Sequence, residues 1–305
     1  MYADGSRTGS SRTAPTIENL PPALDARRCA VTIDADFVRE YTENRLQHMS
    51  EQSMTTPSDR YDSTRRAWED IWDTASVDVE LEAVEYVRSQ ETIRLYQPFL
   101  PTDAPILEAG SGLSAVVITL RKMGYRVFGM DYAVNALHTS HAYDATLPLL
   151  AGDVHHLPFA DNSLGAYLSF GVLEHFEHGM GAALAESYRV LRRGGVLVLT
   201  IPYPNVVNRL VAWRRKAQGI STLTDDDFYE STYTRDRLVG EVKRAGYRIE
   251  RVAPTSHSYT LWGLGGVFRA PGYYKTSALA EMIGGALRVT LPWAFNFTTL
   301  VVAKK

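Results

Sequence analysis

The sequence predicts an α/β fold, a doubly wound, mostly parallel seven-stranded sheet. Short apolar runs alternate with stretches of helical period from about residue 105 onward. Near-continuous apolar runs of this kind are typical of parallel strands buried on both faces. We expect an N-terminal helical extension before this core and further helices and strands after it.

Composition excludes several classes of function. The 305 residues are 45% hydrophobic and 22% charged, as in ordinary globular proteins, and a net charge of −3 provides no basic field for nucleic acid. The single cysteine, Cys29, excludes an intrachain disulfide framework and fits a reducing compartment. No run of about 18 apolar residues is present. We therefore expect a cytoplasmic protein, with its oligomeric state left open.

Four regions are predicted along the chain. Residues 1–30 lack an apolar signal-peptide core and are predicted to be a disordered tail, although their Ser, Thr and Arg content weakly resembles a transit peptide. Residues 31–100 form a helical extension together with the first helix of the fold. Residues 101–202 form the core, and 203–305 carry helices on the substrate side and the last two strands.

The elements follow in order. Helices are predicted at 34–49, 61–75 and 79–100, the last ending near Pro98. Core strands are PILEAG, YRVFGMDY, LPLLAGD, GAYLSFG and GVLVLTIP, with helices at LSAVVITLRKMG, at AVNALHTSHAY and before YRVLRRGG. Beyond the core we expect a basic amphipathic helix at 205–217, a helix at 234–245, a strand near 248–262, an apolar helix near 276–290 and the strand FNFTTLVVAKK.

Two glycines follow the first core strand. Gly110 and Gly112 allow a tight turn and a close approach of a ligand to the main chain. With Ala115 they satisfy the G-x-G-x-x-G/A fingerprint of dinucleotide-binding proteins, and Asp131 follows about 20 residues later. An ordinary strand-to-helix turn and a nicotinamide cofactor both remain open from these residues alone.

Five segments in sequence resemble the class I S-adenosylmethionine-dependent methyltransferases, in their methyltransferase-11-like branch, over about residues 105–202. These segments are EAGSG at 108–112, VFGMDYA, AGDVHHLPF, DNSLGAYLSFGVLEHF and LRRGGVLVLTIP. Ser114 stands where that family often has a third glycine, and Arg193 where proline is usual. The resemblance implies a Rossmann-like methyltransferase fold with S-adenosylmethionine as the cofactor.

The resemblance also implies roles for individual residues. Glu108 would lie near the amino-acid end of the cofactor, and Asp131 would accept hydrogen bonds from both ribose hydroxyls. Asp153 would accept from the adenine amino group, and the main-chain N–H of Val154 would reach the adenine ring. Tyr132, which follows Asp131, belongs to the same expected site.

Other residues are expected around the methyl group and over the cofactor. Phe170 and Gly171 end the fourth strand and should flank the methyl group. Arg65 and Trp68 resemble an amino-terminal helix that closes over the cofactor in relatives. Plain core packing is the alternative for Trp68.

Catalysis of methyl transfer rests largely on placement, because a well-oriented acceptor gains effective molarities of roughly 10⁵ to 10⁸ M. An oxygen acceptor additionally needs a base, and histidine is suited to that near neutral pH. The candidates are Glu174 and His175, at the carboxyl end of the fourth strand. Capping and packing of the next helix is the alternative for this pair. For His155 and His156 we expect lining or surface roles.

The acceptor is less well defined. FYESTYTRDRL resembles the tyrosine-rich helix start of methyltransferases in bacterial glycan and lipid pathways, which favours Tyr203, Tyr229 and Tyr233 as acceptor-binding residues and O-methylation of a small-molecule, glycan or lipid-linked acceptor. His257 is a further candidate, with a surface position as the alternative. The basic helix at 205–217 favours a membrane surface or a phosphate-bearing substrate, or is a solvated helix. No metal site is predicted.

Three other functions stay open. LEHFEHG resembles enzymes that cyclopropanate lipids, but the active-site cysteine of that group has no counterpart, since Cys29 lies in the tail. C-methyl transfer or another lipid modification therefore remains an alternative. A nicotinamide-dependent oxidoreductase and a non-catalytic cofactor-binding protein are the other two.

Overall fold

The computed structural model describes residues 61–217 and 230–305. The predicted tail at 1–30, the predicted helix at 34–49 and Tyr229 lie outside these ranges. Within the described residues no helix is long and apolar enough to cross a membrane.

Three helices precede the sheet: α1 (Tyr61–Thr74), α2 (Val77–Val84) and α3 (Val87–Tyr96), followed by a 3₁₀ turn, Gln97–Phe99. The predicted single helix at 79–100 is wrong, because the chain is extended at Tyr86 (φ −64°, ψ 146°). The side chains of Ser89 and Gln90 donate to the carbonyls of Ala83 and Val84, at 2.7 and 3.0 Å. These bonds satisfy backbone groups that the break leaves without helical partners.

The core elements match the predicted runs closely. They are β1 (Ile106–Ala109), α4 (Ala115–Lys122), β2 (Val127–Asp131), α5 (Val134–Tyr143), β3 (Leu149–Ala151), β4 (Leu164–Phe170), a 3₁₀ turn (Leu173–His175), α6 (Gly181–Val190) and β5 (Leu191–Pro202). All four residues of β1 are buried, as expected of a central parallel strand.

The C-terminal part contributes α7 (Val206–Ala217), α8 (Arg235–Arg244), β6 (Arg248–Thr255), α9 (His257–Trp262), a 3₁₀ turn (Gly266–Phe268), α10 (Ala278–Thr290) and β7 (Thr298–Lys304). The predicted strand at 248–262 is too long. It ends at Thr255 because Ser256 adopts a left-handed conformation (φ 60°), and the chain then turns into α9.

The seven strands form one sheet in the order β3-β2-β1-β4-β5-β7-β6. Strands β1 to β5 pair in parallel, and β7 runs antiparallel to both β5 and β6. Helices cover both faces, so the predicted α/β fold with a mostly parallel seven-stranded sheet is confirmed.

The strand order places a crevice at the carboxyl ends of the central strands β1 and β4. The chain leaves β1 toward β2 on one side, whereas β4 lies on the other side of β1. In open α/β sheets, ligands bind at such a switch point, outside the carboxyl ends of the strands. The loops after β1 and β4 meet there, and they carry most of the residues that the sequence singled out.

Candidate cofactor and methyl-transfer site

A cavity of about 210 Å³ lies at the switch point. Its wall combines the loops after β1, β2 and β4 with α1 and α2, through Thr64, Trp68, Trp72, Glu80, Val84, Glu108, Gly110, Ser111, Gly112, Leu113, Ser114, Ala115, Val116, Asp131, Tyr132, Phe170, Gly171, Val172, His175 and Phe176. Nine predicted site residues therefore surround one space: five from the ends of β1 and β2, three from the end of β4 and its loop, and Trp68 from α1.

The glycines after β1 are required by packing and by conformation. Gly110 and Gly112 have φ values of +82° and +47°, in the left-handed region that other residues rarely adopt. A Cβ atom on Gly110 would lie 2.3 Å from Cγ2 of Val172, and one on Gly112 would lie 2.6 Å from Cζ2 of Trp72. The bare main chain thus allows the β4 loop and α1 to approach the turn.

Asp131 ends β2 with its carboxylate turned toward this loop. One oxygen accepts from the N–H of Gly112 at 2.7 Å and the other from the N–H of Ala133 at 2.8 Å. Burial raises the pKa of Asp131, while these main-chain hydrogen bonds oppose the rise. Each oxygen retains further acceptor capacity, because a carboxylate offers about four lone-pair sites.

Glu108 is the most deeply enclosed acid of the cavity wall. Its Oε2 atom is buried and has no hydrogen-bond partner among residues 61–217 and 230–305. Burial raises the pKa of Glu108 well above its ordinary value; a backbone hydrogen bond from Val117 acts against this rise, and the charge of Asp131 adds to it. A buried acceptor without a partner is costly to a protein, so this oxygen is free to accept from a donor that lies outside the described residues.

Helix α1 lies over the cavity. The indoles of Trp68 and Trp72 are stacked, with centroids 5.5 Å apart, and Trp68 meets the ring of His175 edge-on at 5.3 Å. Arg65 is half-buried and does not line the cavity; its Nε has no partner among the described residues. Trp68 is half-buried and lines the cavity, and its closing over a cofactor stays a prediction.

The two catalytic candidates after β4, Glu174 and His175, occupy different positions relative to the cavity. His175 lines the cavity together with Phe170 and Gly171, whereas Glu174 is buried behind the wall, with Oε1 3.6 Å from the position of a Cβ on Gly171. Burial raises the pKa of Glu174 to about 8. The N-cap residue of α6 is Met180, six residues after Glu174.

The expected adenine residues lie apart from the cavity wall. Asp153 accepts from the main-chain N–H of His155 at 2.9 Å and pairs with Nδ1 of that ring at 2.8 Å. Burial tends to raise the pKa of Asp153, but the hydrogen bonds from His155 hold it below its ordinary value. Val154 is buried, and the side chain of His156 is largely exposed. The adenine roles of Asp153 and Val154 stay predictions.

The expected acceptor residues are dispersed. Tyr233 is buried in the core beside α8, and Tyr203 is half-buried with its ring 5.9 Å from that of Trp293. His257 is buried and pairs through Nε2 with the carbonyl of Pro292 at 2.9 Å, so the surface alternative for it is wrong. None of these three lines the cavity, and Tyr229 is outside the described residues.

Several cavity residues carried no signal in the sequence. Thr64, Glu80, Val84, Val172 and Phe176 line the space, and burial raises the pKa of Glu80 although a hydrogen bond with Tyr273 opposes the rise. The amphipathic period of α2 identified a buried face but not what that face covers.

Comparisons with known proteins support the predicted methyltransferase core. Residues 107–199 match the family model described as a methyltransferase domain. Residues 107–199 form a class I S-adenosylmethionine-dependent methyltransferase domain. The region from β1 into β5, including every loop at the switch point, lies within it.

Relatives extend this match only in part. A malonyl-[acyl-carrier protein] O-methyltransferase of Yersinia pestis is 32% identical over 95 residues, 31% of this chain and 35% of that protein. A demethylmenaquinone methyltransferase of Thermobifida fusca (strain YX) is 35% identical over 120 residues, 36% of this chain and 49% of that protein. The matched segments thus cover less than half the length of each of these relatives.

A solved structure confirms the fold over a longer stretch. An S-adenosylmethionine-dependent methyltransferase from Archaeoglobus fulgidus superposes with a TM-score of 0.51 at 13% identity, covering 73% of this chain and 97% of that one. The shared architecture therefore extends beyond residues 107–199.

Proposed function

We propose that this chain transfers the methyl group of S-adenosylmethionine to an oxygen atom of a small-molecule, glycan or lipid-linked acceptor. The observation that carries the cofactor assignment is the unpartnered Oε2 of Glu108 at the wall of the switch-point cavity. An ammonium group at the amino-acid end of the cofactor supplies the donor that this oxygen lacks within the described residues. When bound, the cofactor offers an electrophilic methyl group on a sulfonium sulfur.

The donor set beside Glu108 fits the rest of the same molecule. The two carboxylate oxygens of Asp131 keep acceptor capacity for a pair of ribose hydroxyls. The left-handed Gly110 and Gly112 leave the main chain bare where the sugar and the amino-acid tail would pass. Phe170 and Gly171 reach the cavity on the opposite side, where the methyl group would lie.

We expect α1 to shift when the cofactor enters. The cavity of about 210 Å³ is smaller than the usual ligand pocket of roughly 300–1,000 Å³, and Trp72 lies against Gly112. Because Trp68 and Trp72 are stacked on each other, they would move outward as a pair. Their return over the bound cofactor would exclude water from the methyl group.

His175 is the side chain best placed to take the proton of an acceptor hydroxyl. It lines the cavity beside Gly171, and its ring packs against that of Trp68 at an interplanar angle of 79°. Glu174 acts behind the wall, where a carboxyl group that holds its proton to a pH of about 8 keeps the turn neutral. We therefore assign proton transfer to His175, with Glu174 behind it as a neutral wall residue whose Oε2 has no hydrogen-bond partner among the described residues.

C-methyl transfer is the second candidate, because several matched relatives are demethylmenaquinone methyltransferases and another is a ubiquinone/menaquinone C-methyltransferase. Labelled S-adenosylmethionine, incubated with the full chain and with hydroxyl- or carboxyl-bearing lipid extracts or a demethylated quinone, distinguishes the two. A label released as methanol by alkaline hydrolysis, or found in a methyl ether, supports oxygen transfer. A label retained on a ring carbon contradicts it and favours the second candidate.

A further inference from the structure

Helix α7 exposes an apolar stripe to solvent. Val206, Leu210 and Trp213 are 43%, 57% and 67% exposed. At 100° per residue these three side chains fall within about 60° of one another around the helix axis. A large indole and a leucine that face water together on one helix are unusual for a globular surface, and such a patch commonly marks a binding surface.

Arginines flank this stripe on both sides. On the same helical projection Arg209 lies about 40° beyond Trp213, and Arg214 about 40° beyond Leu210 on the other side. Both arginines are exposed. The α7 sequence VVNRLVAWRRKA contains four basic residues and no acidic one, in a chain whose net charge is −3. Two of these four basic residues, Arg209 and Arg214, thus flank the apolar stripe.

The fold holds α7 in an orientation that keeps this face outward. Buried Asn205, directly before the helix, donates to the carbonyl of Asn296 at 3.1 Å and accepts from the N–H of Asn208 at 2.9 Å. The N–H of Val206 donates to the carbonyl of Ala294 at 3.0 Å, and Val207, about 60° beyond Leu210 around the helix axis, is buried. Rotation of the helix to hide the stripe would break these contacts.

We propose that the α7 face (Val206, Arg209, Leu210, Trp213 and Arg214) docks the protein on an anionic membrane surface. The apolar stripe would enter the boundary between head groups and acyl chains, with the indole at the depth that tryptophan favours. The two arginines would extend sideways to lipid phosphates, because their long stems tolerate an apolar neighbour while their guanidinium groups stay solvated. Charge complementarity favours an anionic lipid surface over a second copy of this basic face.

Flotation of the full chain with vesicles tests the proposal. We expect binding to phosphatidylcholine vesicles that contain 30% phosphatidylglycerol, and at least about tenfold weaker binding to phosphatidylcholine alone, since each basic residue near an anionic surface contributes on the order of 1 kcal/mol. The double variant Arg209→Glu/Arg214→Glu should lose at least about tenfold in affinity for the anionic vesicles, and Trp213→Ser should also weaken binding.

Matched controls exist on α4 and its C-cap. Arg121→Glu/Lys122→Glu changes the net charge by the same amount at exposed positions, and Met123→Ser removes a similarly exposed apolar side chain. Equal losses in the control variants, equal binding to neutral vesicles, or no binding at all would overturn the proposal. So would a dimer in solution that Trp213→Ser converts to a monomer. Flotation involves no methyl transfer, so its result is independent of the proposed reaction.

Discussion

Replacement of Asp131 by asparagine is the sharpest perturbation of the proposed cofactor site. The carboxylate already accepts from the N–H groups of Gly112 and Ala133, at 2.7 and 2.8 Å. An asparagine would place an NH₂ group against one of those donors and would remove the acceptor facing a ribose hydroxyl. A hydrogen bond to a charged group contributes about 1.5–3 kcal/mol, so loss of one such bond weakens binding about 10- to 150-fold.

Calorimetric titration with S-adenosylhomocysteine measures this loss. Asp144→Asn is the matched control, because Asp144 lies outside the cavity wall and its carboxylate contacts only Thr146 among the hydrogen bonds of the described residues. Its substitution should leave the affinity unchanged.

The Asp131→Asn variant could also bind S-adenosylhomocysteine more weakly for an indirect reason, because Asp131 accepts from the N–H of Gly112 and its replacement would disturb the glycine loop. An analogue of S-adenosylhomocysteine without the ribose 2′-hydroxyl separates the two effects. The unsubstituted protein should prefer the parent compound by at least about tenfold, and Asp131→Asn should show little preference. If the variant retained the full preference, the contact between Asp131 and the ribose would be refuted.

Three further predictions concern the same region. The free energy of unfolding should fall as pH rises from about 4.5 to about 8, because the folded state holds the Glu174 proton more tightly than the unfolded state. Glu174→Gln should remove up to roughly 5 kcal/mol of this pH dependence, measured by urea denaturation at pH 5 and 9. An equal change of the unfolding free energy with pH in both proteins would contradict the prediction. His175→Ala should lower kcat at least about 100-fold with little change in the affinity for S-adenosylhomocysteine, and full turnover would exclude it as the base. Gly110→Ala should lower the free energy of unfolding by roughly 1 kcal/mol or more beyond the effect of Gly124→Ala, because both glycines have positive φ but only Gly110 faces Val172. Val172→Ala should restore part of the lost stability.

The strands of the sheet could be predicted well because each one is marked by residues that are adjacent in the sequence. Each buried strand is a run of apolar residues, and the turns after β1 and β4 carry glycine where the main chain adopts positive φ at Gly110 and Gly171. The acidic residues Glu108 and Asp131 then come to the cavity through the register of adjacent parallel strands, in which Glu108 pairs with Gly129 and Asp131 with Ala151.

Tertiary contacts account for what the sequence did not reveal. The break at Tyr86 depends on side-chain hydrogen bonds to Ala83 and Val84, which no apolar period indicates. Tyr233 was predicted to bind the acceptor because tyrosine side chains can bind sugars. Its ring instead packs in the core, and the guanidinium group of Arg237 lies 4.4 Å from the ring centroid. Such placements depend on which elements meet, and the 3.6-residue period does not encode this.

The central claim concerns the cavity at the carboxyl ends of β1 and β4. A crystal structure of the full chain with S-adenosylhomocysteine tests it most directly. We expect the ribose against Asp131, the amino-acid end at Glu108 and the sulfur facing the side of the cavity formed by Gly171 and His175. A ligand bound elsewhere, or a cavity that stays closed at saturating ligand, would contradict the account.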